Sequence, residues 1–407
     1  MNQEEQLVQR LNRFFQDAKS EISVAPPTWE APGHRRGRWV QPVFASAALA
    51  VVVLAAVVGV RMFRDTRSQV RVAITPTVTA VPSATPSATP APTPTPTPAP
   101  TPGPNWVTQR FEVGAPTAMV LDPSAVFALV PNKVARIDRT TSAVTTGTTQ
   151  PNATGIARTG AGVWIAAGPG TAPAAANSQW LTLIDPTTLQ LIQQVHLPGQ
   201  PGSDLNVGPE LAGNSSLLWL AYGSGIYRLD PNNGATLLSK TIPGTAVSMS
   251  LDTSGTRLYV GVEVPPGPTG QDLVMEFDAS TGAAIASAKT GGGGLRGPHV
   301  AAAADGVWVG FATGTQGAVE HRSAATLAVI GSPIRTSNTI HAVVGAGALW
   351  LVDGMAQQLT CADSATGAIR ASSPETEPAA FAVDTNGAYL GDAAGVAAMQ
   401  PPAACHG

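Results

Sequence analysis

Beyond Trp106, the apolar positions come in short bursts rather than long helical stripes. Each burst is about five residues long, carries an aromatic residue at its second position after an apolar or small one, and is bounded by turn-forming residues: VFALV, VWIAA, LWLAY, LYVGV, VWVGF, LWLVD and AYLGD. Apolar runs this short, flanked by Gly, Asp and Pro, predict buried β-strands. The aromatic positions are Phe127, Trp164, Trp219, Tyr259, Trp308, Trp350 and Tyr389, spaced 37, 55, 40, 49, 42 and 39 residues apart. A degenerate unit of that length suits a four-stranded sheet repeated around a ring better than a helical repeat.

A following strand in each good copy ends in an Asp-led turn: LIDPTT, RLDPNNG, EFDASTG and CADSATG, at Asp185, Asp230, Asp278 and Asp363. Asp caps backbone amides in such turns, and Gly tolerates the positive φ that they require. The copy at EHRSAATL lacks the Asp. The seventh unit is incomplete, because only GVAAMQPP and a short tail follow Tyr389, while VTQRFEV at 107–113 is a strand without a unit of its own. Pairing that strand with the last unit closes the ring and leaves no open end. The predicted fold is therefore all-β, a seven-bladed β-propeller over residues 105–407, with six or eight blades as the alternatives. The WD40/YVTN-like pattern over residues 106–407 resembles the YVTN/YncE-like, PQQ-like and streptogramin-lyase group of propellers. That resemblance implies the fold; propellers host unrelated functions, so it implies little about activity.

Three segments precede the repeats. Residues 1–38 are polar, with Leu7, Leu11, Phe14, Phe15, Ala18 and Ile22 on one face of a predicted amphipathic helix. Two readings stay open: a tail that orders near a membrane or partner, or a docking helix in residues 1–25 for a cytosolic regulator such as a sigma factor. The layout resembles bacterial membrane-bound anti-sigma proteins, although the HxxxCxxC zinc pattern of that group is missing. Residues 39–60, WVQPVFASAALAVVVLAAVVGV, carry no charge; at 1.5 Å per residue they span roughly 33 Å, enough for one transmembrane helix. Arginines flank the run on both sides, so charge does not orient it. Residues 61–104 hold a juxtamembrane Arg segment and then a linker whose last 30 residues contain eleven Pro, nine Thr and no charge. Such a segment favours an extended polyproline form and reaches up to roughly 90 Å. A stalk of this kind places the N-terminus in the cytoplasm and the propeller outside the cell membrane.

From Asn105 onward there are 13 Lys and Arg against 20 Asp and Glu, a balance of −7. No basic patch argues for nucleic acid. The two cysteines, Cys361 and Cys405, can pin the C-terminal tail to a neighbouring blade if the compartment is oxidising.

The long loops 168–178, 198–209, 263–272 and 290–298 all fall between strands that meet on one face of the ring, over blades two to five. They are either binding loops or functionless insertions. Nine residues before the aromatic marker stand His299, His341 and Glu210, with Ala118, Gly155 and Ala380 at the same offset elsewhere, and Ser248 or Ser250 in blade four. Strand starts of the inner ring surround the channel mouth. The streptogramin-lyase resemblance implies a lyase- or hydrolase-like site there, with His299, His341 and Glu210 as catalytic candidates or as ligands of a divalent metal; the plainer reading is wet polar surface. No P-loop, nucleophile elbow, zinc signature, calcium loop or quinone-docking repeat is present. The sequence thus points to a membrane-anchored module binding a protein, cell-wall or small-molecule ligand, without a cofactor, and the enzyme and the transmembrane signalling protein are the alternatives.

Overall fold

The computed structural model describes residues 105–406 apart from 169–178, 199–207, 265–271, 292–296, 314–315, 338–339 and 376–377. The apolar run 39–60, the helix predicted within 1–38 and the Pro/Thr linker lie outside those residues. No helix among the described residues is long and apolar enough to cross a membrane.

The described residues form seven four-stranded antiparallel sheets arranged as the blades of a propeller. Six blades take their four strands in chain order. The seventh is completed by the N-terminal strand Val107–Phe111, which pairs antiparallel with Gly395–Met399. The chain therefore closes on itself by hydrogen bonds, as the orphan strand predicts.

Each aromatic marker lies on the second strand of its blade and is buried, and the four tryptophans Trp164, Trp219, Trp308 and Trp350 are at most 1% exposed. Removing an indole of that size from water is worth about 5 kcal/mol before entropy is counted. What covers the indole is the Asp-led turn of the next blade. Trp164 donates its Nε1–H to Pro231 O (2.9 Å), Trp219 to Ala279 O (3.1 Å) and Trp308 to Ser364 O (2.8 Å). In every case the acceptor directly follows the turn Asp. That Asp holds the turn through its own carboxylate: Asp278 Oδ1 accepts from the amides of Ser280 (3.0 Å) and Thr281 (2.7 Å). Ser323 does the same work in blade five, where its Oγ accepts from Ala325 N at 3.1 Å. Blade one uses Asp138 in the same way, a sixth copy that the repeat reading passed over.

Four residues after the Asp (or Ser323), each of these turns places one residue in the left-handed region. It is Gly234, Gly282 or Gly367, at φ 69°, 66° and 73°, wherever the preceding blade presents a Trp. It is Leu189 (56°) beneath Phe127 and Leu327 (55°) beneath Tyr259. A Cβ on Gly367 would sit 2.8 Å from the Trp308 ring. Ring size and turn residue are thus matched across these five seams: the larger indole takes the glycine and the smaller ring takes the leucine.

The seam between blades seven and one keeps the turn with Ser142 at the left-handed position (φ 60°), the seam between blades six and seven lacks it, and both carry further contacts. Arg139 reaches from blade one to make a bidentate pair with Asp384 (2.6 and 2.7 Å) and lies over the Tyr389 ring at 5.5 Å. Trp350 is covered edge-on by Trp106 at 6.3 Å. The C-terminal 3-10 turn Ala403–Cys405 packs into the same cluster, where Cys405 is joined to Cys361 by a disulfide with Cα atoms 5.8 Å apart.

Candidate functional site

In a four-stranded meander, the connection into the inner strand and the connection between the second and third strands emerge on the same face. The described strands therefore put both ends of all four long loops on one face, although most of each loop lies outside the described residues. The inner strands of blades three, five and six begin on that face at Glu210, His299 and Ile340.

Pairing register shows which residues are equivalent around the mouth. In every blade, the residue two beyond the aromatic marker pairs with one inner-strand residue: Ala118, Gly155, Glu210, Ser248, His299, His341 and Ala380. This decides blade four in favour of Ser248, because the hairpin joining its first two strands is longer. The ring of seven positions is lopsided. Glu210, Ser248, His299 and His341 occupy four consecutive blades, and the other three blades present only Ala380, Ala118 and Gly155.

The two imidazoles are brought together, with ring centroids 4.2 Å apart and planes inclined by 51°. Glu210 is not brought to them: it stands two blades from His299, with Ser248 between. Among the described residues, no group of three or more His, Cys, Asp or Glu is close enough to hold a metal ion. A divalent ion takes three or four ligands at about 2 Å, of which the paired imidazoles would offer two.

Local sequence explains why these side chains are held where they are. Glu210 and His299 each follow a proline, and the carbonyl of that proline is fixed by a hydroxyl from the preceding blade. Thr154 Oγ1 donates to Pro209 O (2.9 Å), and Ser248 Oγ donates to Pro298 O (2.8 Å). Ser248 Oγ also accepts from Val300 N at 3.1 Å, so both peptide groups flanking His299 are pinned by one hydroxyl. Blades four and five approach closely enough that a Cβ on Gly261 would fall 2.0 Å from Pro298 O. On the approach to His341, the Ser337 amide donates to Asp353 Oδ2 at 3.0 Å. Sequence reasoning missed Ser248 as a positioning residue and Asp353 altogether. The Ser–Gly pair at matched register was the signal for the first, legible only once the strand pairing was known.

Glu210 is the electrostatic outlier of the ring. Burial in the wall of the channel pushes its carboxyl up from 4.5 to about 8, so it is protonated at neutral pH and can donate a hydrogen bond. Because the folded value lies above the unfolded one, the folded protein holds the extra proton between pH 4.5 and about 8. Stability falls as pH rises through that window. Glu210→Gln removes the ionisation, so the variant should match the parent near pH 4.5 and exceed it by on the order of 3 kcal/mol at pH 9. Urea titrations at the two pH values read this directly; an equal difference at both would show that the carboxyl ionises freely.

This ring and its closure define a seven-bladed β-propeller with a polar arc at one channel mouth, and known structures share the ring. A chain of the mitotic checkpoint complex aligns with a TM-score of 0.56 at 12% identity, covering 82% of this chain and 100% of that one. Hydrazine synthase of Kuenenia stuttgartiensis aligns at 0.54 and 11% identity, over 72% and 97%. The Cps50 (Swd1) β-propeller domain of Myceliophteria thermophila aligns at 0.53 and 14% identity, over 74% and 100%. At these identities the likeness is one of fold alone. No protein-family model and no curated protein matches the sequence.

Proposed function

We propose that this chain is a single-pass membrane protein of the YVTN/YncE-like kind that holds a non-enzymatic propeller outside the cell and binds a partner at the looped face. The observation that carries this reading is the lopsided mouth. Four consecutive blades present Glu210, Ser248, His299 and His341, and the other three present nothing larger than alanine. A rigid ring with polar groups on one side and open space on the other suits a segment that enters the mouth from one direction. Propellers that work within protein assemblies, such as the one in the mitotic checkpoint complex, favour a protein partner. The uncharged run 39–60 and the Pro/Thr stalk support the anchor, and residues 1–25 remain the stretch on which a cytosolic regulator would dock.

The test is photo-crosslinking in intact cells, with the crosslinker placed at position 118, 155 or 380. A discrete adduct that is lost when Glu210, His299 and His341 are all changed to Ala supports binding at the mouth. Absence of any adduct from all three positions overturns it. The adjacent imidazoles and the protonated Glu210 carboxyl favour one second reading, a lyase- or hydrolase-like enzyme. For that reading, Zn²⁺ or Mn²⁺ should raise the melting temperature of the parent and not of the triple variant.

A further inference from the structure

On the outer flank of the ring, away from the mouth, the seam between blades one and two opens into a groove of about 410 Å³, within the rough 300–1,000 Å³ range of small-molecule sites. Its walls include Thr146, Thr149, Gln150, Thr182, Gln190 and Gln194, and none of its lining residues is charged. Hydroxyls both donate and accept, and primary amides offer two donors and an acceptor. A lining of these groups together with Ile184, Leu189 and Leu191, without a charge, favours a neutral ligand over a phosphate or a metal ion. It matches a ligand that is itself a dense array of neutral hydroxyls.

Two further observations point to a ligand. Thr149 Oγ1 is shielded from solvent with no hydrogen-bond partner, and a buried hydroxyl left this way destabilises the fold. At the top of the groove stands an aromatic platform. On the ladder between Trp180–Ile184 and Leu191–His196, Thr182 lies opposite Gln194, and Trp180 lies opposite His196 one step further along. Residues two apart on a strand share a face, so the Trp180–His196 pair continues the groove wall about 7 Å beyond Thr182. The two rings are stacked, 3.9 Å between centroids at 30°. Trp180 is half-buried and His196 exposed. An indole face is an electron-rich surface against which the C–H side of a sugar ring packs.

We propose that this seam is a binding site for a neutral oligosaccharide, with one sugar ring packed on Trp180 and its neighbours hydrogen-bonded to Thr182, Gln194 and Thr149. The site is independent of the channel mouth. A run of hydroxyls along the chain would meet the Thr and Gln walls in turn, and one of them would satisfy Thr149 Oγ1.

The experiment uses the full chain and four uncharged hexasaccharides, built of glucose, N-acetylglucosamine, mannose or galactose, followed by tryptophan fluorescence and calorimetry. At least one should bind saturably. Trp180→Ala should weaken that binding about five-fold or more, and Gln194→Ala about three-fold or more. Thr149→Val should weaken it while leaving the melting temperature unchanged or higher, because an unsatisfied hydroxyl has been removed. His341→Ala, at the mouth, should leave affinity unchanged. No saturable binding by any of the four, or binding equal in the parent and Trp180→Ala, overturns the proposal.

Discussion

Gly367→Leu lowers the unfolding free energy by about 3 kcal/mol, and adding Trp308→Tyr to the same chain costs little or nothing more. The first effect has two parts. Gly367 sits at φ 73°, a conformation that costs an ordinary side chain energy, and its Cβ would lie 2.8 Å from the Trp308 ring and 3.0 Å from Ile334. The second effect follows from the other seams. Leu327 occupies the equivalent left-handed position beneath Tyr259, and Leu189 does so beneath Phe127, each in one buried cluster with its ring. A leucine is therefore compatible with the turn when the ring above it is smaller than an indole. Trp308→Tyr alone should cost about 2 kcal/mol, since it leaves a void over the glycine and ends the Nε1–H bond to Ser364 O. The two losses should then fail to add, with a coupling on the order of 2 kcal/mol. Urea denaturation of the parent, both singles and the double measures the cycle. Additive losses would mean that turn conformation alone decides glycine or leucine, and that the match across the seam is incidental.

The same comparison shows what could and could not be read from the chain. The aromatic markers, the Asp turns and the strand that closes the last blade are local signals, and they predict the ring with its seven blades. Leu189 and Leu327 look like lapses from the Asp–x–x–x–Gly turn because their reason lies about one blade away, on the ring that they cover. Trp164 and its acceptor Pro231 are 67 residues apart. At the mouth, residue types were legible and their geometry was not. His299 and His341 stand 42 residues apart, as neighbouring units would; that their rings meet while Glu210 stands two blades from His299 depends on blade order. The groove on the blade-one flank was invisible for the same reason. Its threonines and glutamines come from two units and resemble ordinary exposed strand residues until the seam is built.

Reduction of the Cys361–Cys405 disulfide, or its removal by Cys405→Ser, should lower the unfolding free energy by about 4 kcal/mol. The crosslink closes a loop of 44 residues, for which chain entropy alone predicts about that value. The location magnifies its importance. Among the described residues, blade seven alone joins the first strand of the propeller to its last three, so its outer strand Val107–Phe111 is held to Gly395–Met399 by backbone pairing and not by a hairpin. The bond anchors the tail just beyond that pair to the third strand of blade six, where Cys361 and Cys405 are both fully buried beside Trp106 and Trp350. Loss of the bond should therefore free the tail first and raise amide exchange over Gly395–Met399 before it does so in blades two to five. Denaturation of the oxidised parent, the reduced parent and the Cys361→Ser/Cys405→Ser double measures the effect, and the last two should coincide. If reduction leaves both stability and exchange unchanged, strand pairing alone closes the ring. If the expected loss appears, the fold depends on a compartment that keeps the bond oxidised, which is the condition an extracytoplasmic propeller would meet.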